Sequence, residues 1–391
     1  MLRDVLGISL LISVSVAPGT FAGTPAEHAI EQAQASIARS PRVAAGWNDL
    51  AVAYARRARE TADPEYYTRA LEAVSRSLEV ESGNLGALEA EIWALLGRHE
   101  FAAALDKARD LQRRVPDDVT VYGMLVDAHA ELGNYEEAER AAQWMLDLRP
   151  GNVAGLARAA YLRELFGDLD GALDLMRSAL IRTSPYEVED RAWLLTHIAH
   201  LQRLAGDPEE AARTASHALV LFPGYHYALA QRAEDAADLE LWDEAIELRR
   251  RHVEAAPHPE NYFYLARDLA RDGREEEAQT TFRRFESLAR AEMDGNDNAN
   301  RELVLYYADH AARPAEALRI AAREIERRGD VYTRDTYAWA LYRNGKIDEA
   351  REEAAKILAL GTRDPRILEH AGAITRPDVE VADDRRETPG R

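Results

Sequence analysis

His197 and His200 stand three apart in a segment whose apolar spacing predicts a helix, so both imidazoles share one face and could begin a metal site. A site needs further ligands, and the nearest in sequence, His217 and His226, lie at no recognised ligand spacing. Asp294, Asn296, Asp297, Asn298 and Asn300 suggest calcium in the same way. The turn glycine and closing Glu of a calcium-binding hand are missing at their offsets, so this run reads as an Asx-rich loop before a helix. No glycine-rich phosphate loop, Gly-x-Ser-x-Gly elbow or His-Glu-x-x-His helix is present. The absence of Cys excludes disulfides, a thiol nucleophile, thiolate metal sites and a lipoprotein anchor. The sequence therefore implies neither an enzyme nor a cofactor.

The elements that would carry these residues are helical. The chain has 391 residues and a formal charge of -20, from 69 Asp and Glu against 49 Lys and Arg. Such a charge repels a polyanionic duplex, so nucleic acid is not expected as a partner. Residues 1–22 place Arg3 before an apolar run from Val5 to Val16 and end on Thr20 and Ala22, the pattern of a cleaved secretory signal peptide. That run is shorter than the ~20 residues of a membrane-spanning helix, and no other stretch is apolar enough to span. The mature protein is expected in the periplasm or secreted.

Nine alanines then recur in register: Ala70, Ala104, Ala138, Ala172, Ala211, Ala245, Ala278, Ala317 and Ala350, at steps of 33, 34 or 39 residues. Gly133, Gly167, Gly206, Gly273 and Gly345 each precede one of these alanines by five residues, and Pro116, Pro150, Pro223 and Pro257 each follow one by twelve. In one unit, Tyr122, Leu125, Val126 and His129 form one helical face, and Gly133-Asn134 ends that helix. Acid at Glu136 and Glu137 then favours a second helix, whose buried face is Ala138, Ala142 and Met145 and whose end is Pro150. Each unit is thus an antiparallel helix pair.

This pattern resembles the tetratricopeptide repeat (TPR) family. Trp47, Leu50, Ala51 and Tyr54 match the first half of its signature, and Tyr122, Leu125, Gly133, Tyr135, Ala138 and Pro150 match across a full unit. The resemblance implies an all-α fold, an α-solenoid superhelix of about nine helix-turn-helix repeats over residues 23–374. Capping helices are expected to open at Pro25 and, carrying Ile367, Leu368, Ala371 and Ile374, at Pro365. Residues 375–391 form a polar tail expected to be disordered.

The resemblance also implies that first helices line a concave groove. Carried over, the groove positions are Asp127, Glu131, Tyr161, Glu164, Trp193, His200, Arg203, Tyr227, Arg267, Arg271, Tyr306, His310, Trp339, Tyr342 and Arg343. Aromatic and Arg side chains suit an interface because they bury large area or make stacked and bidentate contacts. Tyr161 and Trp339 fit packing between repeats equally well. The Lys and Asn clamp with which cytosolic members grip a partner's carboxyl end is not reproduced. The resulting expectation is a non-catalytic scaffold or assembly factor that holds a protein or peptide segment. A metal-handling protein using His197 and His200, an enzyme assembled only by spatial convergence, and self-assembly by repeat stacking remain the alternatives.

Overall fold

The structure is a computed structural model, and it describes residues 23–376. The expected signal segment and all but two residues of the expected tail lie outside that range. Twenty helices and no strands occur among the described residues.

Helix α1 (Pro25–Arg39) opens on Thr24, whose hydroxyl accepts from the Glu27 amide while the Glu27 carboxylate takes the Thr24 amide at 2.8 Å. This reciprocal cap satisfies two amides that a helix start otherwise leaves open. Nine hairpins follow. They pair α2 (Ala44–Thr61) with α3 (Glu65–Val80), α4 (Leu85–Gly97) with α5 (Phe101–Arg114), and α6 (Val119–Glu131) with α7 (Tyr135–Leu148). Next come α8 (Val153–Leu165) with α9 (Leu169–Arg182), α10 (Val188–Leu204) with α11 (Pro208–Leu221), and α12 (His226–Asp238) with α13 (Trp242–Ala255). The last are α14 (Pro259–Arg271) with α15 (Glu275–Glu292), α16 (Asn300–Asp309) with α17 (Pro314–Arg327), and α18 (Val331–Arg343) with α19 (Ile347–Leu358), before α20 (Pro365–Thr375) closes the array.

All nine register alanines are 0 or 1% exposed, at the crossing of each second helix with its neighbours. A methyl at that crossing lets the backbones approach and leaves no room for a larger side chain. Ile367, Ala371 and Ile374 of α20 are buried as expected, but Leu368 turns outward.

The turn inside every hairpin contains a left-handed residue. Gly133, Gly167, Gly206, Gly273 and Gly345 take φ between 73 and 89°. In the remaining four hairpins the same job falls to Ala62, His99, Glu240 and Ala312, with φ between 52 and 58°. The geometry is thus kept even where the glycine is not, at a cost of roughly 1 to 2 kcal/mol per site.

The superhelix closes on itself. The turns of the first four hairpins rest on the loops and helix starts of later ones. Arg59 pairs with Glu189 at 3.0 Å, and His226 Nε2 donates to the Arg59 carbonyl at 2.8 Å. His258 Nε2 donates to the Ala62 carbonyl at 2.6 Å, and His99 faces Asp297 at 3.4 Å. Further along, Arg328 pairs with Glu131, the Gly329 amide donates to the Glu131 carbonyl at 3.2 Å, and the Val331 amide donates to the Tyr135 hydroxyl at 2.7 Å. Gly167 meets Gly361 backbone to backbone. The expected concave groove is therefore enclosed as a lumen, because this seam joins its two edges.

Candidate functional site: the lumen

First helices turn a stripe of residues spaced three and four apart toward the lumen: His197, His200 and Arg203 from α10; Tyr227, Gln231 and Glu234 from α12; and Glu260, Tyr264, Arg267 and Arg271 from α14. With α2, α8, α16, α18 and α20 they wall a cavity of about 1440 Å³. Nine arginines, eight carboxylates and eight of the chain's eleven histidines line it. Charge inside is thus close to balanced in a chain of net -20, so the net charge describes the outer surface and does not decide what the lumen receives.

Of the twelve residues singled out for binding, Tyr161, His200, Arg203, Tyr227, Arg267, Arg271, His310, Trp339 and Arg343 line this cavity. Trp193, Tyr306 and Tyr342 are not among its walls; each lies against a neighbouring ring. Trp193 lies on His197 at 4.0 Å between centroids, Tyr306 on Phe282 at 5.1 Å, and Tyr342 on Trp339 at 5.4 Å. Asp127 and Glu131 also leave the groove: Asp127 holds Arg158 at 2.6 Å, and Glu131 serves the seam.

His197 and His200 share a face but not a partner. His197 Nδ1 lies 3.3 Å from the Trp193 carbonyl, and burial pushes its pKa down to about 4. His200 Nε2 meets Glu164 of α8 at 3.0 Å. Burial opposes charge on both groups, yet their mutual attraction raises the His200 pKa and lowers that of Glu164. The result is an ion pair between repeats. Among the described residues no group of three or more His, Asp or Glu converges as a metal site would require. Asn298 and Asn300 likewise spend their side chains on the loop, Asn298 on the Gly295 carbonyl at 2.8 Å and Asn300 on Met293 and Glu324.

The densest network lies where α12, α13 and α14 meet. Arg249 comes from the second-helix layer, fully buried, and binds Asp268 at 2.8 Å and Glu234. Arg267 binds the same two carboxylates at 3.0 and 3.1 Å. Tyr264 faces both guanidiniums, at 5.2 and 5.0 Å from its ring centroid. Burial opposes ionisation of Glu234, but the two arginines overcome it and hold the carboxyl far below its usual range. Arg267 is therefore both a wall of the lumen and part of the core, and reversing its charge would set three carboxylates together. At the far end Trp339 donates to Asp309 at 3.1 Å, stacks on His370 at 4.3 Å and lies under Arg343.

Sequence reasoning missed Glu234, Tyr264, Arg301, Arg366 and the histidines at 99, 252, 258 and 370 as lumen walls. Glu234, Tyr264 and Arg301 carry a readable signal, since they lie three or four residues from positions already on the stripe or at a helix start. The residues of α20 carried none, because a capping helix has no groove position in the repeat pattern.

A scan of protein-family models and a search of curated proteins each return no match. Solved structures do match. A human IFIT1 dimer with PPP-AAAA aligns with a TM-score of 0.53 at 14% identity, over 86% of this chain and 87% of that one. A human IFIT1 dimer with m7Gppp-AAAA gives 0.54 at 14%, over 85% of each chain. Cut9–Hcn1, an APC/C hetero-tetramer, gives 0.51 at 16%, over 63% of this chain, which spans 46% of the length of that one. The fold is that of a TPR solenoid.

Proposed function

We propose that this chain is a non-catalytic binding scaffold, exported to the periplasm, that takes an extended protein segment into its lumen. The observation that carries the reading is the convergence of the helix stripes on one cavity whose charges are close to balanced overall. A peptide matches such a lining: its backbone is polar and neutral along its length, and its charges fall only at particular side chains. Aromatic walls at Tyr161, Tyr227 and Trp339 add contact area at low entropic cost. Export rests on the residue pattern of positions 1–22.

The test narrows the lumen without removing an ion pair. Ala230 and Ala270 line it with side chains too small to fill it, so Ala230→Trp with Ala270→Trp should abolish retention of the bound segment while leaving the helical signal and melting transition intact. Replacing the exposed outer Trp144 by Ala should change nothing. Retention that survives the lumen variant would end this reading.

A second reading is favoured by the lumen arginines together with the IFIT1 likeness over most of both chains: a phosphate-bearing chain such as the PPP-AAAA held by that protein. Against it stand the eight carboxylates in the same wall, which phosphates would meet at every step.

A further inference from the structure

Three of the nine lumen arginines, Arg271, Arg301 and Arg366, donate to no carboxylate among the described residues; Arg271 is exposed, whereas Arg301 and Arg366 are half-buried. Arg59, Arg203, Arg249, Arg267, Arg328 and Arg343 each donate to a carboxylate. Arg301 and Arg366 make no hydrogen bond within the described residues. Their nearest carboxylate oxygens are Asp330 at 3.7 Å and Asp335 at 4.0 Å. Both acids are already committed: Asp330 accepts from Arg328 at 2.9 Å and from the Thr333 hydroxyl at 2.6 Å, and Asp335 holds His370 at 3.0 Å. Arg366 Nε is buried without a partner. The two side chains nevertheless keep about a third of their area accessible, and both line the cavity.

Both guanidiniums also act on one shared feature, the Tyr264 hydroxyl and its acceptor Glu302, 3.3 Å apart. A guanidinium offers five N–H donors in a planar fork, and an enclosed one with donors unused is costly until an oxyanion completes it. Resting on the peptide reading above, we infer that Arg301 and Arg366 form a subsite that receives a carboxylate of the bound segment, from an Asp or Glu side chain or from a chain end. A phosphodiester fits less well. Glu260, Glu302 and Asp364 lie around the same two arginines, so repulsion grows with each charge a ligand carries, and a chain charged at every step is disfavoured more than a segment with a single carboxylate.

The experiment uses the full chain and an immobilised library of random dodecapeptides, prepared with free and with amidated carboxyl ends. The expected result is retention of peptides with Asp or Glu at one place, or of free-ended peptides alone, the two patterns separating side chain from terminus. Retention should fall at least tenfold in Arg301→Gln with Arg366→Gln and recover in part with Lys at both positions. Free glutarate should compete on the unaltered protein, which gives an answer even if the variants fold poorly. Retention of neutral peptides, unaffected by glutarate or by the variants, overturns the subsite and leaves the peptide reading standing. Retention of a 5′-triphosphorylated tetra-adenylate and of no peptide overturns both, as does retention of neither probe.

Discussion

Gly133 and Gly329 meet backbone to backbone across the seam: a Cβ on Gly133 would run into the Gly329 carbonyl, and a Cβ on Gly329 into the Leu132 carbonyl. Gly133 is also left-handed, at φ 74°. Gly273 holds the same place in its own hairpin at φ 79°, with nothing within 4 Å of its would-be Cβ. The pair separates two roles of one sequence position. Gly273→Ala should cost about 1 to 2 kcal/mol, the left-handed penalty alone. Gly133→Ala should cost that and the seam contact besides, read as a lower urea midpoint and as faster amide exchange at Gly329 and Val331. Equal losses would mean that the seam contributes nothing to stability.

Glu240 carries the converse prediction. It is exposed and left-handed at φ 56°, and its amide donates to the Ala237 carbonyl at 3.0 Å, a bond that glycine would keep. Glu240→Gly should therefore be neutral or stabilising, by up to about 1 kcal/mol, because relief of the strained φ offsets the greater freedom glycine gains when unfolded. A urea midpoint that drops by the usual cost of glycine would show that the turn is unstrained.

The repeat, its boundaries and its caps were legible because each unit is built from local signals: an alanine where helices cross, a turn residue, a stop. Four turns escaped notice since Ala62, His99, Glu240 and Ala312 bear no turn signature, and tertiary packing imposes the conformation on them. Closure was illegible for a different reason. It depends on superhelical pitch, which sums small rotations over many repeats, so Arg59 and Glu189 or Glu131 and Arg328 show no relation in sequence. Nine of the twelve groove positions carried over from the repeat geometry line the lumen, whereas Trp193, Tyr306 and Tyr342 lie beside it against neighbouring rings.

His226 ties the seam to pH. Its Nε2 donates to the Arg59 carbonyl, and Tyr225, Tyr227, His252, His258 and the Arg59 side chain surround it. Burial pushes its pKa down to about 4, against about 6.5 unfolded. Between these values the unfolded chain binds the extra proton, so stability falls as pH drops from about 6.5 toward 4. His226→Gln keeps an N–H donor and cannot titrate. Urea unfolding at pH 7 and pH 5 should show a smaller acid loss in the variant, and an identical loss would remove His226 from the acid response.

Asp235 has the opposite sign. It is fully buried, accepts from Gln231 at 2.7 Å through one carboxylate oxygen, and leaves the other without a partner. Burial pushes its pKa up to about 7, well above the unfolded value near 4. Here the folded protein binds the extra proton, so the stability associated with this group is present below pH 4 and is lost as pH rises toward 7, at a slope approaching about 1.4 kcal/mol per unit. Asp235→Asn substitutes a neutral group of the same shape whose oxygen can still accept from Gln231. The variant should be at least as stable as the parent at pH 8 and should lack the decline between pH 4 and 7 on which the His226 response is superimposed. A loss of stability at pH 8 would mean that the attraction of Arg203 and Arg232 holds ionised Asp235 more strongly than burial opposes it.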